Sequence, residues 1–132
     1  MARLFDLHIH TTKGSSDSSL NPEELVLEAE RLSLRGLCIT EHSGPWERHE
    51  FESFASRHSL VLVRAMEVET DLGHMLAFGM DRYQSGFHKA KELRRAADAV
   101  GGFVVIAHPF RAVLSQRKRS SALLYQSVPD PL

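Results

Sequence analysis

His8 and His10 stand two residues apart at the end of the short apolar run "DLHIH", and the polar loop "TTKGSSDSS" follows them. In an extended strand, residues two apart project from one face, so both imidazoles can be offered to the same ion. That spacing alone also suits a pair of satisfied or surface histidines. Three further apolar runs end in donors: "LCITEHS" in His42, "LVLVRAMEVET" in Glu67 and "FVVIAHPF" in His108. Asp17, in the first loop, and His74, opening "HMLAFGM", can reach the same rim. The set His8, His10, Asp17, His42, Glu67, His74 and His108 mixes imidazoles with carboxylates and holds no thiolate. Such donors suit zinc, manganese or iron better than calcium or magnesium, and do not resemble a structural zinc site. They exceed the needs of one ion, so two or three divalent ions sharing Glu67 as a bridge are expected. Such a centre lowers the pKa of water and stabilises the attacking and leaving oxygens of a phosphate ester, with no serine or cysteine nucleophile.

The elements that position these donors follow from pattern. Residues 3–9 read as a strand. In "NPEELVLEAERLSLRG", Asn21 is an N-cap, Pro22 takes the first helical position, Glu23 and Glu24 fill the first turn, and Gly36 is the stop. Leu25, Ala29 and Leu32 then share a buried face. Residues 37–40 make a second strand, buried on both sides. "PWERHEFESFASRHS" is a second helix with Phe51, Phe54 and Ala55 on one side. Residues 60–70 are a third strand, "DLG" a turn, and "HMLAFGM" a return strand that closes a local hairpin. "KAKELRRAADAVGG" is a third helix with Leu93, Ala96 and Val100 inward, and "FVVIAHPF" a fourth strand stopped by Pro109. The alternation predicts an α/β fold of about four parallel strands plus a local β-hairpin, with helices outside. Each parallel strand carries a donor at or just past its C-terminal end, where open α/β sheets and barrels place their sites.

A chain of 132 residues is one domain or part of one. With 16 basic against 17 acidic groups it lacks the positive field of a nonspecific nucleic-acid binder. No apolar tract of about 18 residues could cross a bilayer, and the N-terminus has no secretory pattern, so a cytoplasmic location is expected. Cys38 is the single cysteine, read as a buried thiol. Arg111 can clamp a substrate phosphate or simply be an exposed arginine; Lys13 and Ser16 can do the same from the first loop. Asp6 can orient the His8 imidazole or be a buried carboxylate at the barrel floor. Glu69 is read as a neighbour of the site, and His49, His58 and His88 as surface groups. The basic run Arg117, Lys118 and Arg119 belongs to a solvated tail.

The pieces "DLHIHT", "SSDSS", "NPEELV", "GLCITEHS", "MEVET" with "GHMLAFG", and "VVIAHPFR" occur in this order from residue 4 to about residue 111. Together they resemble the polymerase and histidinol phosphatase (PHP) superfamily. The resemblance implies a distorted seven-stranded (βα) barrel with two or three metal ions at its C-terminal rim, acting as a phosphoesterase on small phosphorylated molecules or nucleotide ends. It implies His8 and His10 on one ion with Glu67 bridging, Asp17 and His42 on a second, and Glu67, His74 and His108 on a third. Glu67, His42 and Arg111 are the residues expected to carry the chemistry.

Two departures stand out. Glu41 occupies the position where the family usually has aspartate, a change expected to alter an outer contact. No Asp-x-His follows His108. Residues 1–111 are therefore expected to be the N-terminal part of a PHP-like barrel that needs roughly 200 residues when complete. Residues 112–132 are expected to be a divergent tail, disordered or a short helix. An incomplete barrel has an open edge, which a homodimer could cover, and the first two ion sites lose a ligand each, which predicts weak metal loading and low activity. Besides a phosphoesterase, the sequence admits a truncated, non-catalytic metal-binding or assembly module. A barrel amidohydrolase, which also opens with His-x-His, fits the Glu67, His74, His108 series less well.

Overall fold

The computed structural model describes residues 3–111. Its elements are β1 (Phe5–Ile9), α1 (Pro22–Arg31), β2 (Gly36–Glu41), α2 (Arg48–Ala55), β3 (Val61–Thr70), β4 (Gly73–Phe78), α3 (Ala90–Ala99) and β5 (Phe103–Ile106). Helix α1 starts as its residues dictate: Asn21 is extended, its side chain accepts the Glu23 N–H at 2.9 Å, and Pro22 follows. Helix α2 is capped by the Glu47 carboxylate, which accepts the Glu50 N–H at 2.9 Å.

Both α1 and α3 end one turn or less before their expected stops. Leu32 is the C-cap of α1 and Ser33 turns the chain with a φ of 57°, so Leu32 is exposed and Val26 joins Leu25 and Ala29 in the core. Val100 is likewise a C-cap and exposed, and Ala97 is buried beside Leu93. Gly36 opens β2 rather than stopping α1. A Cβ there would lie 2.3 Å from the Phe5 ring and 2.6 Å from the Val61 carbonyl oxygen, so the missing side chain lets β1 and β3 close on β2.

The strands form one open, curled mixed sheet in the order β1-β2-β3-β4-β5, half of a barrel. The pairs β1–β2 and β2–β3 are parallel; β3–β4 and β4–β5 are antiparallel. This corrects the expectation of four parallel strands. The Thr70–Gly73 turn folds β4 directly back on β3 through six residue pairs, so β4 lies inside the sheet and offers β5 its other edge. Strand β5 runs in the direction of β3 but does not pair with it.

All six residues of β2 are buried, as expected of a strand covered on both faces. On the outer face Ile9, Leu37, Ile39, Trp46, Phe51 and Phe54 pack with α1 and α2. Met66, Val68, Met75, Leu93 and Ala97 pack around α3. Cys38, Ala65, Leu76, Phe78 and Ala107 form the concave face beneath the histidines. The buried Cys38 thiol is pushed up in pKa by burial and by the charge of Asp6, which keeps it protonated and inert. None of the helices described is long and apolar enough to cross a membrane. The tail expected at residues 112–132, with its basic run, lies outside the described residues.

Leu93 is fully buried at the centre of the α3 cluster. Leu93→Ala is expected to destabilise the protein by about 2–5 kcal/mol, read from the midpoint of urea denaturation at unchanged slope.

Candidate metal centre

Glu67 lies on β3 with its side chain on the concave face and is only 3% exposed. A carboxylate removed from water needs partners for both oxygens. Here each oxygen has its own set. Oε2 is 3.0 Å from His8 Nε2 and 2.9 Å from His10 Nε2. Oε1 is 2.9 Å from His74 Nδ1 and 3.0 Å from His108 Nε2. Burial pushes the Glu67 carboxyl up, but the hydrogen bonds and charge of His8 and His74 outweigh it and hold the pKa at about 2.

Strand geometry delivers each donor. A register break between Asp6 and Ile9 interrupts the β1–β2 ladder, and the Thr40 hydroxyl fills the gap: it accepts the Ile9 N–H at 3.1 Å and donates to the Ile9 carbonyl at 3.0 Å. His8 lies within the break and His10 just past the re-registered Ile9, with ring centroids 4.9 Å apart. His74 sits at the start of β4, opposite Glu69 across the hairpin. His108 follows β5 with a φ of 33°, an uncommon backbone for a residue with a side chain and more so before Pro109. The turn is held by the Arg111 N–H donating to the His108 carbonyl at 3.0 Å. His42, just past β2, stacks on His10 with centroids 4.3 Å apart, and its Nε2 lies 3.3 Å from Asp17 Oδ2 and 3.5 Å from Glu67 Oε2.

All seven sequence-predicted donors thus gather at one rim: five form two tight groups that share Glu67, one with His8 and His10 and the other with His74 and His108, and His42 with Asp17 lies alongside. The first group is nearly an equilateral triangle, its third side being 3.2 Å between His8 Nε2 and His10 Nε2. Ligands about 2.0–2.1 Å from a tetrahedral ion are separated by about 3.3 Å, so this triangle has the dimensions of a zinc-type face. The donor set fits a divalent metal ion.

Other expectations change. Asp6 does not reach the His8 ring; its Oδ1 accepts the His8 backbone N–H at 3.1 Å, the nearest donor for a short side chain two residues away. Lys13 is paired with Glu50 and lies 5.0 Å from the centre of the Trp46 ring, which turns its ammonium toward α2. His58 is not a surface group: its side chain is 15% exposed and packs on Phe54, 3.5 Å from Glu23 Oε2. His49, His88, Ser16, Glu69 and Arg111 are exposed.

The feature that sequence reasoning undervalued is Glu41, which has no exposed surface and ties the loop carrying His10 and Asp17 to β2. It bonds Thr11, Ser15 and Trp46. A carboxylate closing the largely apolar run "GLCITE" was the available signal, but its partners lie across loops that pattern does not place.

The PHP domain family model matches residues 6–126, and the chain belongs to this family. It is 29% identical over 101 residues to an error-prone DNA polymerase of Cutibacterium acnes, covering 76% of this chain and 7% of the polymerase. It is 34% identical over 74 residues to the error-prone DNA polymerase of Mycolicibacterium paratuberculosis, covering 56% of this chain and 6% of that one. The chain therefore spans less than a tenth of these relatives. Its fold is similar to the crystal structure of a "putative metal-dependent phosphoesterase" from Bifidobacterium adolescentis. The TM-score is 0.53 at 26% identity, over 90% of this chain and 41% of that one.

Gly14 lies where the metal-rim loop crosses β2, and its carbonyl accepts the Ser43 N–H at 2.9 Å. A Cβ at this position would fall 2.7 Å from both Cβ and Cγ of the buried Glu41. Gly14→Ala is expected to cost about 1–3 kcal/mol in urea denaturation, with the circular dichroism of the sheet retained.

Proposed function

We propose that this chain supplies the metal centre of a PHP-type phosphoesterase, hydrolysing a phosphate ester of a small phosphorylated molecule or nucleotide. The observation that carries the reading is the division of Glu67: one buried carboxylate, with two imidazoles on each oxygen. With that arrangement His8 and His10 would hold one ion and His74 and His108 another, each together with Glu67, the donor set of a two-metal hydrolytic site. Ions bound there would supply a water of lowered pKa and positive charge for the attacking and leaving oxygens.

The protein's own part is to hold the donors open and aimed. Glu67 stays ionised because its pKa lies far below neutrality, and so would offer a charged oxygen to each ion. His8 and His10 form one face, His74 and His108 the other, and His42 with Asp17 adds a donor pair at the mouth, where both are partly open to solvent. In this reading Arg111, exposed beside His108, attracts the substrate phosphate. Zinc, manganese or iron fits the imidazole-rich set. The match to the PHP family and the likeness to the Bifidobacterium protein support the reaction class.

Equilibrium dialysis of the wild-type chain against manganese or zinc is expected to show about two ions per chain. His8→Ala and His108→Ala should each remove about one, since they serve opposite oxygens of Glu67. Unchanged occupancy in both variants would contradict the bridged centre. With metal added, release of phosphate from an aryl phosphate is expected, and Glu67→Gln should lower kcat/KM by about 100-fold or more, beyond the loss typical of an outer-shell residue. Metal binding with no phosphate release from aryl or nucleotide esters would favour a non-catalytic module.

A further inference from the structure

The carboxylate of Glu41 is wholly buried, one residue before His42, and four hydrogen atoms point at its two oxygens. The Thr11 N–H donates to Oε2 at 3.0 Å and the Ser15 hydroxyl donates to the same oxygen at 2.5 Å. Trp46 Nε1–H donates to Oε1 at 3.0 Å, and the Thr11 hydroxyl donates there as well. Each oxygen thus faces one hydroxyl, which can turn round, and one N–H, which cannot. The N–H groups belong to different oxygens, so no orientation of an amide could satisfy both, and only a carboxylate accepts at each position.

This has a consequence at the histidines. The Ser15 hydroxyl has a single proton, and it is committed to Glu41. Its two remaining lone pairs can only accept. One accepts the His42 N–H at 3.1 Å, which fixes the backbone of that residue. The other faces His10 Nδ1 at 3.4 Å. An oxygen that can only accept selects the His10 tautomer protonated on Nδ1. The lone pair of His10 is then on Nε2, the atom that lies 2.9 Å from Glu67 Oε2 and 3.2 Å from His8 Nε2. We propose that Glu41, acting through the Ser15 hydroxyl, is a positioning residue that sets the His10 tautomer and so prepares the metal face formed by His8, His10 and Glu67. The inference rests on the metal-centre reading above.

An amide at position 41 undoes the arrangement. If its NH2 group replaces Oε2, it opposes the Thr11 N–H and donates to Ser15. The Ser15 proton then turns to His10 Nδ1 and moves the His10 proton to Nε2, where it blocks ligation. If the NH2 group replaces Oε1, it opposes the Trp46 N–H instead.

The test is cobalt(II) titration of the full chain, followed by visible absorption, for the wild type, Ser15→Ala, Glu41→Gln, their double variant and Trp46→Phe, with urea denaturation of each. Ser15→Ala is expected to weaken cobalt binding about 10–100-fold, the range for an outer partner of a ligating histidine. Glu41→Gln should weaken it by up to the same factor, set by the share of chains that place the NH2 group on Ser15, and the double variant should be no weaker than Ser15→Ala alone, because both act on one proton. Trp46→Phe removes a donor to the same carboxylate without touching Ser15; it should lower stability yet leave cobalt affinity within about twofold. If Glu41→Gln does not fold, the contrast between Ser15→Ala and Trp46→Phe decides. Wild-type binding with Ser15→Ala unaffected, or with Trp46→Phe weakened as much as Ser15→Ala, overturns the relay alone. A wild-type chain that binds no cobalt overturns the metal-centre reading and this inference together.

Discussion

A carboxylate on the concave face of a sheet, almost closed to water, can exist only if the surrounding groups replace its solvation. Glu67 meets that requirement by drawing four imidazoles from three separate segments onto its two oxygens. The same convergence makes the site. The partners arrive from β1, β4 and the end of β5, so the strands must be staggered for their C-terminal or turn-side ends to share one rim. The apolar layer of Cys38, Ala65, Leu76, Phe78 and Ala107 lies beneath and closes that side to water.

The hairpin is the topological device that allows this. A purely parallel succession would place β5 beside β3, and His74 would have to come from a loop. With β4 inserted between them, His74 enters from a strand start and the Ala107 N–H donates to the His74 carbonyl at 2.9 Å, locking the two imidazole-bearing segments together. His108 then reaches Glu67 only by adopting a positive φ before a proline. An uncommon backbone at such a point is held by its surroundings, here the turn closed by Arg111 and the contact with Glu67. On the opposite side, the buried Glu41 gathers the loop that carries His10 and Asp17. Two buried carboxylates therefore organise the rim, one facing the donors and one behind them.

Much of this was legible in the residues. Asn21 and Pro22 announced α1, the uncharged, largely apolar "GLCIT" announced a doubly covered strand, and the recurrence of His or Glu at strand ends announced a rim. Five of the seven donors came from that recurrence, while Asp17 was read from the first loop and His74 from the start of the return strand, and the structure brings all seven together. Sheet order was not legible, because periodicity identifies a strand but not its neighbour; the insertion of β4 depends on which edge remains free after the hairpin closes. Helix ends at Leu32 and Val100 were missed because both residues continue the apolar period while the backbone has already left the helix. Asp6, His58 and Glu41 were misjudged for different reasons: Asp6 takes the backbone N–H two residues on and His58 packs on the Phe54 ring four residues back, local options that the pattern leaves open, whereas Glu41 meets Thr11 and Ser15 only through tertiary packing.

The central claim is that Glu67 is a bridge between two cations rather than merely a buried acceptor for histidines. Anomalous diffraction from crystals grown with zinc or manganese, collected across the metal's absorption edge, tests it directly. The account predicts two peaks about 3.5–4 Å apart, one beside His8 and His10 and the other beside His74 and His108, each within coordination distance of a different Glu67 oxygen. Peaks that avoid Glu67, or full occupancy elsewhere on the surface with the histidine rim empty, would contradict it.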